Sequence, residues 1–294
     1  MNKIIRKSIS LMLAFCLVIS LSATAFANQS SNNNLSKKEL ETKKIVVDVA
    51  NGGDSMVGGG KPFDAPPQAT PAPGEITPQW ASGGTDHTHQ FLTARGITIL
   101  ENDKSITYYY QNSYATTIMQ YSDMPDVDEQ DSPTYFKGHF YDPATGKNYM
   151  NETSPTALTR FTDHYNSAVS KFPTDKTGAM QELGRALHYL ADVNEPHHAS
   201  NKIAVGSNHV NFETSMDAWR TDFGITTSDK YTYVTSNTIK TCIDACGNNA
   251  KAYINYAESL NYNDMATAAG PTMGYAQKFI AGYLYKFLKD VGQI

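Results

Sequence analysis

Apolar residues recur every three or four positions through most of the chain after residue 80, the spacing that gathers them on one side of an α-helix. Phe91, Leu92, Ile97, Ile99 and Leu100 form one such side, directly after His89. Leu183, Ala186, Leu187, Leu190 and Ala191 form another, and His188 and Asp192 fall on the strip beside it. The cleanest pattern runs through Tyr275, Phe279, Ile280, Tyr283, Leu284, Phe287, Leu288 and Val291. Asp142-Pro-Ala-Thr-Gly-Lys147 reads as a turn by its residue chemistry. No alternating strand series stands out, and nothing repeats internally. The pattern predicts an all-α, single-domain, multi-helix fold with long loops.

The front of the chain breaks this pattern. Lys3, Arg6 and Lys7, then the apolar run Leu11–Leu21, then Ala25-Phe-Ala27 read as a secretory signal peptide over 1–27. The run is too short for a membrane span, which needs about 20 residues. Residues 28–79 are polar, then rich in glycine and proline, with Asn32-Asn-Asn34, Gly58-Gly-Gly60 and six of the 13 prolines. Such a stretch has too little apolar area to offset its ordering entropy, so disorder is expected. Left for the folded part is 80–294, 215 residues, a comfortable single domain.

Composition narrows the functional classes. The whole chain is 40% apolar and 18% charged, which suits a packed core. Residues 80–294 hold 16 Lys/Arg and 23 Asp/Glu, a net charge of −7. That sign disfavours electrostatic binding of nucleic acid. Of the three cysteines, Cys16 leaves with the signal peptide, while Cys242 and Cys246 lie four apart. In an exported protein they are either bridged or two free thiols, and the spacing leaves both open.

All eight histidines fall between His87 and His209, in short clusters with carboxylates. His188 and Asp192 are four apart on a predicted helix, so both project from one face about 6 Å apart. His209 and Glu213 repeat the arrangement, and His198 sits between the two pairs, just after Pro196. One such pair is more often a surface hydrogen bond. Two pairs within 26 residues, with another histidine between them, point to metal. Imidazole plus carboxylate without thiolate suits zinc held for chemistry rather than a closed structural site.

At this point a resemblance becomes specific. Gly184-Arg-Ala-Leu-His188-Tyr-Leu-Ala-Asp192-Val-Asn-Glu-Pro196-His-His198 and then His209-Val-Asn-Phe-Glu213 resemble the bacterial zinc-dependent phospholipase C family, the group of the bacillus phosphatidylcholine-hydrolysing enzyme and the clostridial alpha-toxin catalytic domain. Agreement extends to Thr88-His89 through Asp103, to Met124-Pro-Asp126 with His139 through Gly146, and to Ala281 through Val291. The resemblance implies three zinc ions. One would use Trp80, through its free amine and carbonyl, with His89 and a shared Asp192. A second would use Asp126, His139, His188 and Asp192; a third, His198, His209 and Glu213. His197 has no ligand counterpart in the family, and His87 and His164 read as ordinary surface or turn histidines. A free α-amine is a good ligand and an amide nitrogen a poor one. If Trp80 ligates, then, the Gln79–Trp80 bond is cut and 28–79 is the pro-segment of a zymogen.

The implied reaction is hydrolysis of a glycerophospholipid to diacylglycerol and a phosphorylated headgroup by metal-activated water, with Asp126 as general base. Phe136 would form one aromatic wall for the headgroup, whereas Val127 and Gly83 stand where the choline-specific members carry an aromatic and an acid. Choline, ethanolamine, sphingomyelin or a broad range therefore stay open. Residues 80–294 are expected to hold no counterpart of the alpha-toxin's lipid-binding β-sandwich, so transient membrane contact through exposed loops is expected of a secreted monomer. The rival readings are a three-zinc single-strand nuclease, which would close the third site with Asp where Glu213 stands, and a non-catalytic exported zinc-binding protein. No nucleic-acid partner is expected.

Overall fold

The structure is a computed structural model that describes residues 35–53, 88–131 and 136–294. In it the periodic segments are helices. The order is α1 (Lys37–Ala50), α2 (Thr88–Lys104), α3 (Tyr114–Tyr121), α4 (Pro125–Asp128), α5 (Ala157–Lys171), α6 (Lys176–Val193), α7 (Pro196–Ala199), α8 (His209–Ala218), α9 (Tyr231–Ser236), α10 (Ile239–Lys251), α11 (Ile254–Ala257) and α12 (Tyr262–Asp290). Short 3₁₀ turns stand at Tyr108–Ser113, Lys137–His139 and Arg220–Phe223. Among the described residues the nearest thing to a strand is one antiparallel bridge between Asp142 and Lys147, which closes the expected turn. The fold is all-α, as the periodicity predicts.

Helix starts follow side-chain caps that satisfy the first free backbone N–H groups. Thr156 and Thr159 make a reciprocal capping box ahead of α5, and the Asp175 carboxylate accepts the Gly178 N–H ahead of α6. Helix α6 lies between α5 and α3 and is buried along nearly its whole second half. Helix α12 packs on α2 and α9. Tyr283, Phe279, Phe287 and Leu284 from α12 join Leu187, Leu190, Ile97 and Leu100 in one apolar core. The cysteines on α10 are both free thiols and both buried, and burial pushes the Cys246 thiol up.

Two elements differ from the sequence expectation. Helix α12 runs for 29 residues and starts at Tyr262, well before the clean pattern at Tyr275. Its first half carries Gly270 and Pro271, which argue against helix locally. Burial of Met265, Ala268, Ala269 and Met273 overrides that propensity. The second difference is α1, which falls inside the stretch expected to be disordered. Ser36 and Glu39 form a capping box, and Val46, Val49 and Ala50 are buried with Thr42 and Lys43. The composition of 28–79 as a whole is poor in apolar residues, which hid a short amphipathic segment at 37–50. The signal peptide, most of the Gly/Pro-rich stretch and Trp80 lie outside the described residues.

The crossing of α3 and α6 is held close by Gly184, one turn before His188. A Cβ built there would stand 2.5 Å from the Ile118 carbonyl oxygen and 2.8 Å from the Tyr121 Cβ. Both obstacles belong to α3 itself rather than to a flexible chain end. Gly184→Ala is therefore expected to lower unfolding free energy by about 1–3 kcal/mol despite alanine's better helix propensity. A denaturant titration beside the unsubstituted protein checks this, and a midpoint that stays or rises would contradict the close crossing.

Candidate metal centre

Six elements bring their polar side chains to one buried place. Helix α6 offers His188 and Asp192, one turn apart on its inner face. Helix α2 contributes His89 from its first turn, and α4 with the turn at 137–139 contributes Asp126 and His139. The chain then breaks at Asn194, restarts at Pro196, and delivers His198 from α7 and His209 with Glu213 from α8. All eight of these residues are at most 2% exposed. Charge this deeply buried is very costly unless it is compensated.

Asp192 is the hub. Its Oδ2 lies 3.0 Å from His139 Nδ1 and 3.1 Å from His188 Nε2. Its Oδ1 lies 3.3 Å from His198 Nδ1 and 3.8 Å from His89 Nε2. Asp126 Oδ1 stands 3.5 Å from both His139 Nδ1 and His188 Nε2. In the adjoining group, Glu213 Oε1 is 3.0 Å from His209 Nε2 and 3.4 Å from His198 Nε2. Ligands about 2.0–2.1 Å from a tetrahedral zinc ion stand about 3.3 Å from one another. The separations in this cluster bracket that value. Neither ring nitrogen of His198 or of His209 makes a hydrogen bond, although buried imidazoles ordinarily find partners. Donor atoms from three sets converge: His89, His188 and Asp192; Asp126, His139 and His188; and Glu195, His198, His209 and Glu213. Donor type, spacing and unused nitrogens all fit a borderline-soft cation such as zinc.

The surroundings fix which nitrogen faces the cluster. His188 Nδ1 donates to the Ser122 carbonyl at 2.8 Å, which leaves Nε2 as the lone-pair donor, the usual outer-shell device at metal histidines. Glu195 belongs to the third set by distance, but both its oxygens are engaged. One pairs with His197 Nδ1 at 2.7 Å, and the other accepts the His198 backbone N–H at 2.6 Å. Glu195 thus orients the turn that carries His198, leaving three ligands and an open position there, the pattern of a catalytic rather than a closed site.

Electrostatically the pocket calls for positive charge. Burial works against a charged His188, yet Asp192 and Asp126 beside it lift the imidazole to about 9. Burial likewise opposes ionised Asp192, but His188 and His198 hold its carboxyl well below the usual range. His89 is pushed well down, by burial first and then by the neighbouring His188.

Of the sequence-predicted residues, His89, Asp126, His139, His188, Asp192, His198, His209 and Glu213 come together here, and Trp80 lies outside the described residues. Phe136 is buried, with its ring 5.5 Å from that of His139. Sequence reasoning missed Glu195, although Glu195-Pro196 carries a helix-start signature, a capping acid before proline. It also took His164 for an ordinary surface or turn residue. His164 instead bridges Glu129 at 2.9 Å and Glu182 at 2.7 Å. Glu129 further accepts the Tyr189 hydroxyl at 2.9 Å and pairs with Arg185. The Tyr189 ring packs 5.1 Å from those of both His139 and His188, so this network backs the cluster from behind.

The model of the family described as zinc dependent phospholipase C matches residues 88–258. A phospholipase C of Paraclostridium bifermentans is 30% identical over 237 residues, which cover 69% of this chain and 59% of the relative. A phospholipase C of Clostridium perfringens strain 13 is 28% identical over 239 residues, with 70% and 59% covered. The chain therefore spans somewhat under two thirds of the length of these relatives. Among solved structures, the alpha toxin of Clostridium absonum superimposes with a TM-score of 0.63 at 26% identity, over 70% of this chain and 64% of the toxin.

The bridging histidine gives a pH-dependent expectation. Burial opposes its charge, but Glu129 and Glu182 raise the His164 imidazole above its ordinary 6.5. A raised folded-state value stabilises the fold fully below about 6.5, and that stability fades as pH climbs through the folded value. Glu129 has the opposite sense: burial is outweighed by His164, Tyr189 and Arg185, which hold it at about 2. Its contribution is lost only in strong acid. His164→Phe should therefore cost about 1–3 kcal/mol at pH 6 and measurably less at pH 9. Denaturation of both proteins at the two pH values checks this; an equal cost at both would show that the imidazole charge plays no part.

Proposed function

The chain belongs to the zinc-dependent phospholipase C family, and from that premise we propose that it is a secreted phospholipase C, made as a zymogen and active with three zinc ions per chain. The observation that carries this reading is the single buried cluster of His89, Asp126, His139, His188, Asp192, His198, His209 and Glu213, with ligand-like separations throughout. His89 and Asp192 would hold one ion together with the amine and carbonyl of Trp80. Asp126, His139, His188 and Asp192 would hold the second, and His198, His209 and Glu213 the third. Zinc so bound supplies a lowered pKa for water and neutralises charge on phosphoryl oxygens.

The remaining roles belong to the chain itself. Asp126 is the candidate general base: its Oδ1 faces His139 and His188 while its Oδ2 stands 3.9 Å from His89 Nε2. A carboxylate at that junction can take a proton from water held between the groups and orient it toward a phosphodiester. His188 keeps its tautomer through Ser122, and Glu195 holds the α7 turn. Phe136 is proposed as a wall of the headgroup site on its position beside His139. A free amine at Trp80 requires scission of Gln79–Trp80, which makes residues 28–79 the inactivating pro-segment. Export rests on the charged, apolar and small-residue pattern of residues 1–27. Among the described residues no helix is long and apolar enough to cross a membrane. Contact with a lipid surface is instead assigned to Leu260, 82% exposed, and to exposed Val205, Tyr256 and Tyr262. The Asn208 side chain ties their loops together through the Ala257 and Ser259 carbonyls at 3.0 and 2.7 Å, next to His209.

Five measurements test the reading, beginning with protein recovered from culture medium. Its mass should place the N-terminus at Trp80, and metal analysis should return three zinc ions, falling to two in His209→Ala. Hydrolysis of phosphatidylcholine or phosphatidylethanolamine should vanish with chelator; chelator-sensitive cleavage of single-stranded DNA without lipid turnover would overturn the assignment. Asp126→Asn should cost about 10²-fold or more in kcat with zinc retained, and full turnover would remove Asp126 as base. Leu260→Asp should slow hydrolysis of vesicles while sparing a soluble short-chain lipid; equal effects on both would sink the surface-contact role.

A further inference from the structure

Helix α1 lies in the stretch assigned above to the pro-segment, yet its contacts are those of an integral part of the fold. Lys43 Nζ is 2.6 Å from Glu101 Oε1 on α2, and both side chains are only 7% exposed. The other Glu101 oxygen accepts the Tyr110 hydroxyl at 2.8 Å, and the Lys43 ammonium lies 5.9 Å from the centre of the Tyr110 ring. Val46, Val49 and Ala50 are buried in the main core. The C-terminal end is held separately: Arg95 donates to the Ala50 carbonyl and Arg220 to the Gly52 carbonyl, at 3.5 and 3.4 Å. Gly52 has φ +85°, and a Cβ there would stand 2.3 Å from Thr221 Cγ2. The turn after α1 is therefore fitted against the 220–223 turn, in a backbone region that glycine adopts at little cost.

Resting on the proposed scission at Gln79–Trp80, we propose that α1 is not discarded when that bond is cut: it stays on the domain as a bound second chain, anchored by the buried Lys43–Glu101 pair. The cut lies 26 residues beyond Gly53, the last described residue of this segment, and breaks none of these contacts. Departure of the helix would leave Glu101 without its cation and uncover the apolar ground under Val46. Removing one partner of a buried ion pair is far more costly than losing an exposed one. Along α2, Glu101 is 12 residues from His89, about 18 Å at helical rise. The anchor therefore sits away from the metal cluster. Activation on this account comes from the new amine at Trp80 and does not require α1 to leave.

The test uses the full chain with a sequence-specific protease site replacing Gly58–Gly60, so that docking is read whether or not Gln79–Trp80 is the natural cut. After cleavage, size-exclusion chromatography and native mass spectrometry should find the two fragments together. Lys43→Glu should weaken retention of the small fragment at least tenfold, and adding Glu101→Lys should restore it. Lys43→Gln gives a milder variant should the charge reversal fail to fold. Separation of the fragments in the otherwise unsubstituted chain, or retention unchanged in both Lys43 variants, would overturn the proposal. A natural N-terminus elsewhere than Trp80, with the engineered fragments still together, would count against the zymogen reading alone.

Discussion

Everything in this fold answers to one constraint: five imidazoles and three carboxylates are buried at one place, where unpaired charge is prohibitively costly. Asp192 resolves most of it. One carboxylate, carried on the largely buried second half of α6, stands within 4 Å of four histidines. Its two oxygens divide those partners into pairs, so the groups served by α2, α4 and α7 share a common edge. The break after α6 follows from the same need, since a continuous helix would carry His198 away from Asp192. Pro196 starts a new helix, and Glu195 supplies the cap that holds it.

Behind this cluster lies a second polar layer of a different kind. His164, Glu129, Glu182, Arg185 and Tyr189 satisfy one another by direct hydrogen bonds, whereas the front layer leaves imidazole nitrogens facing inward without any. The contrast separates structure from chemistry. A network closed on itself rigidifies; one that presents lone pairs toward a common point is arranged for something to be bound.

Much of this was legible in the sequence, and the exceptions have physical reasons. The helical period showed α6 because its apolar and ligand positions lie on adjacent strips of one helix. His209 and Glu213 on α8 showed themselves by the same four-residue spacing, whereas His89 on α2, Asp126 on α4 and His139 followed from the resemblance of ordered motifs, because nothing local ties His89 to Asp192 across some hundred residues. The role of Glu195 was hidden because a capping acid looks alike in any helix. His164 was hidden because its partners come from α5's neighbours rather than its own turn. Helix α1 was masked by averaging: fourteen amphipathic residues were read together with a much longer polar and proline-rich stretch.

The close approach at Gly184 reaches further than packing. Tyr121, against which that missing Cβ would press, is followed directly by Ser122, whose carbonyl receives the His188 Nδ1–H. The distance between two helix backbones thereby selects the tautomer of an imidazole one turn away. A hydrogen atom on an apolar position is, in effect, part of the specification of the donor set, so a side chain at residue 184 would press on the donor set as well as on the packing.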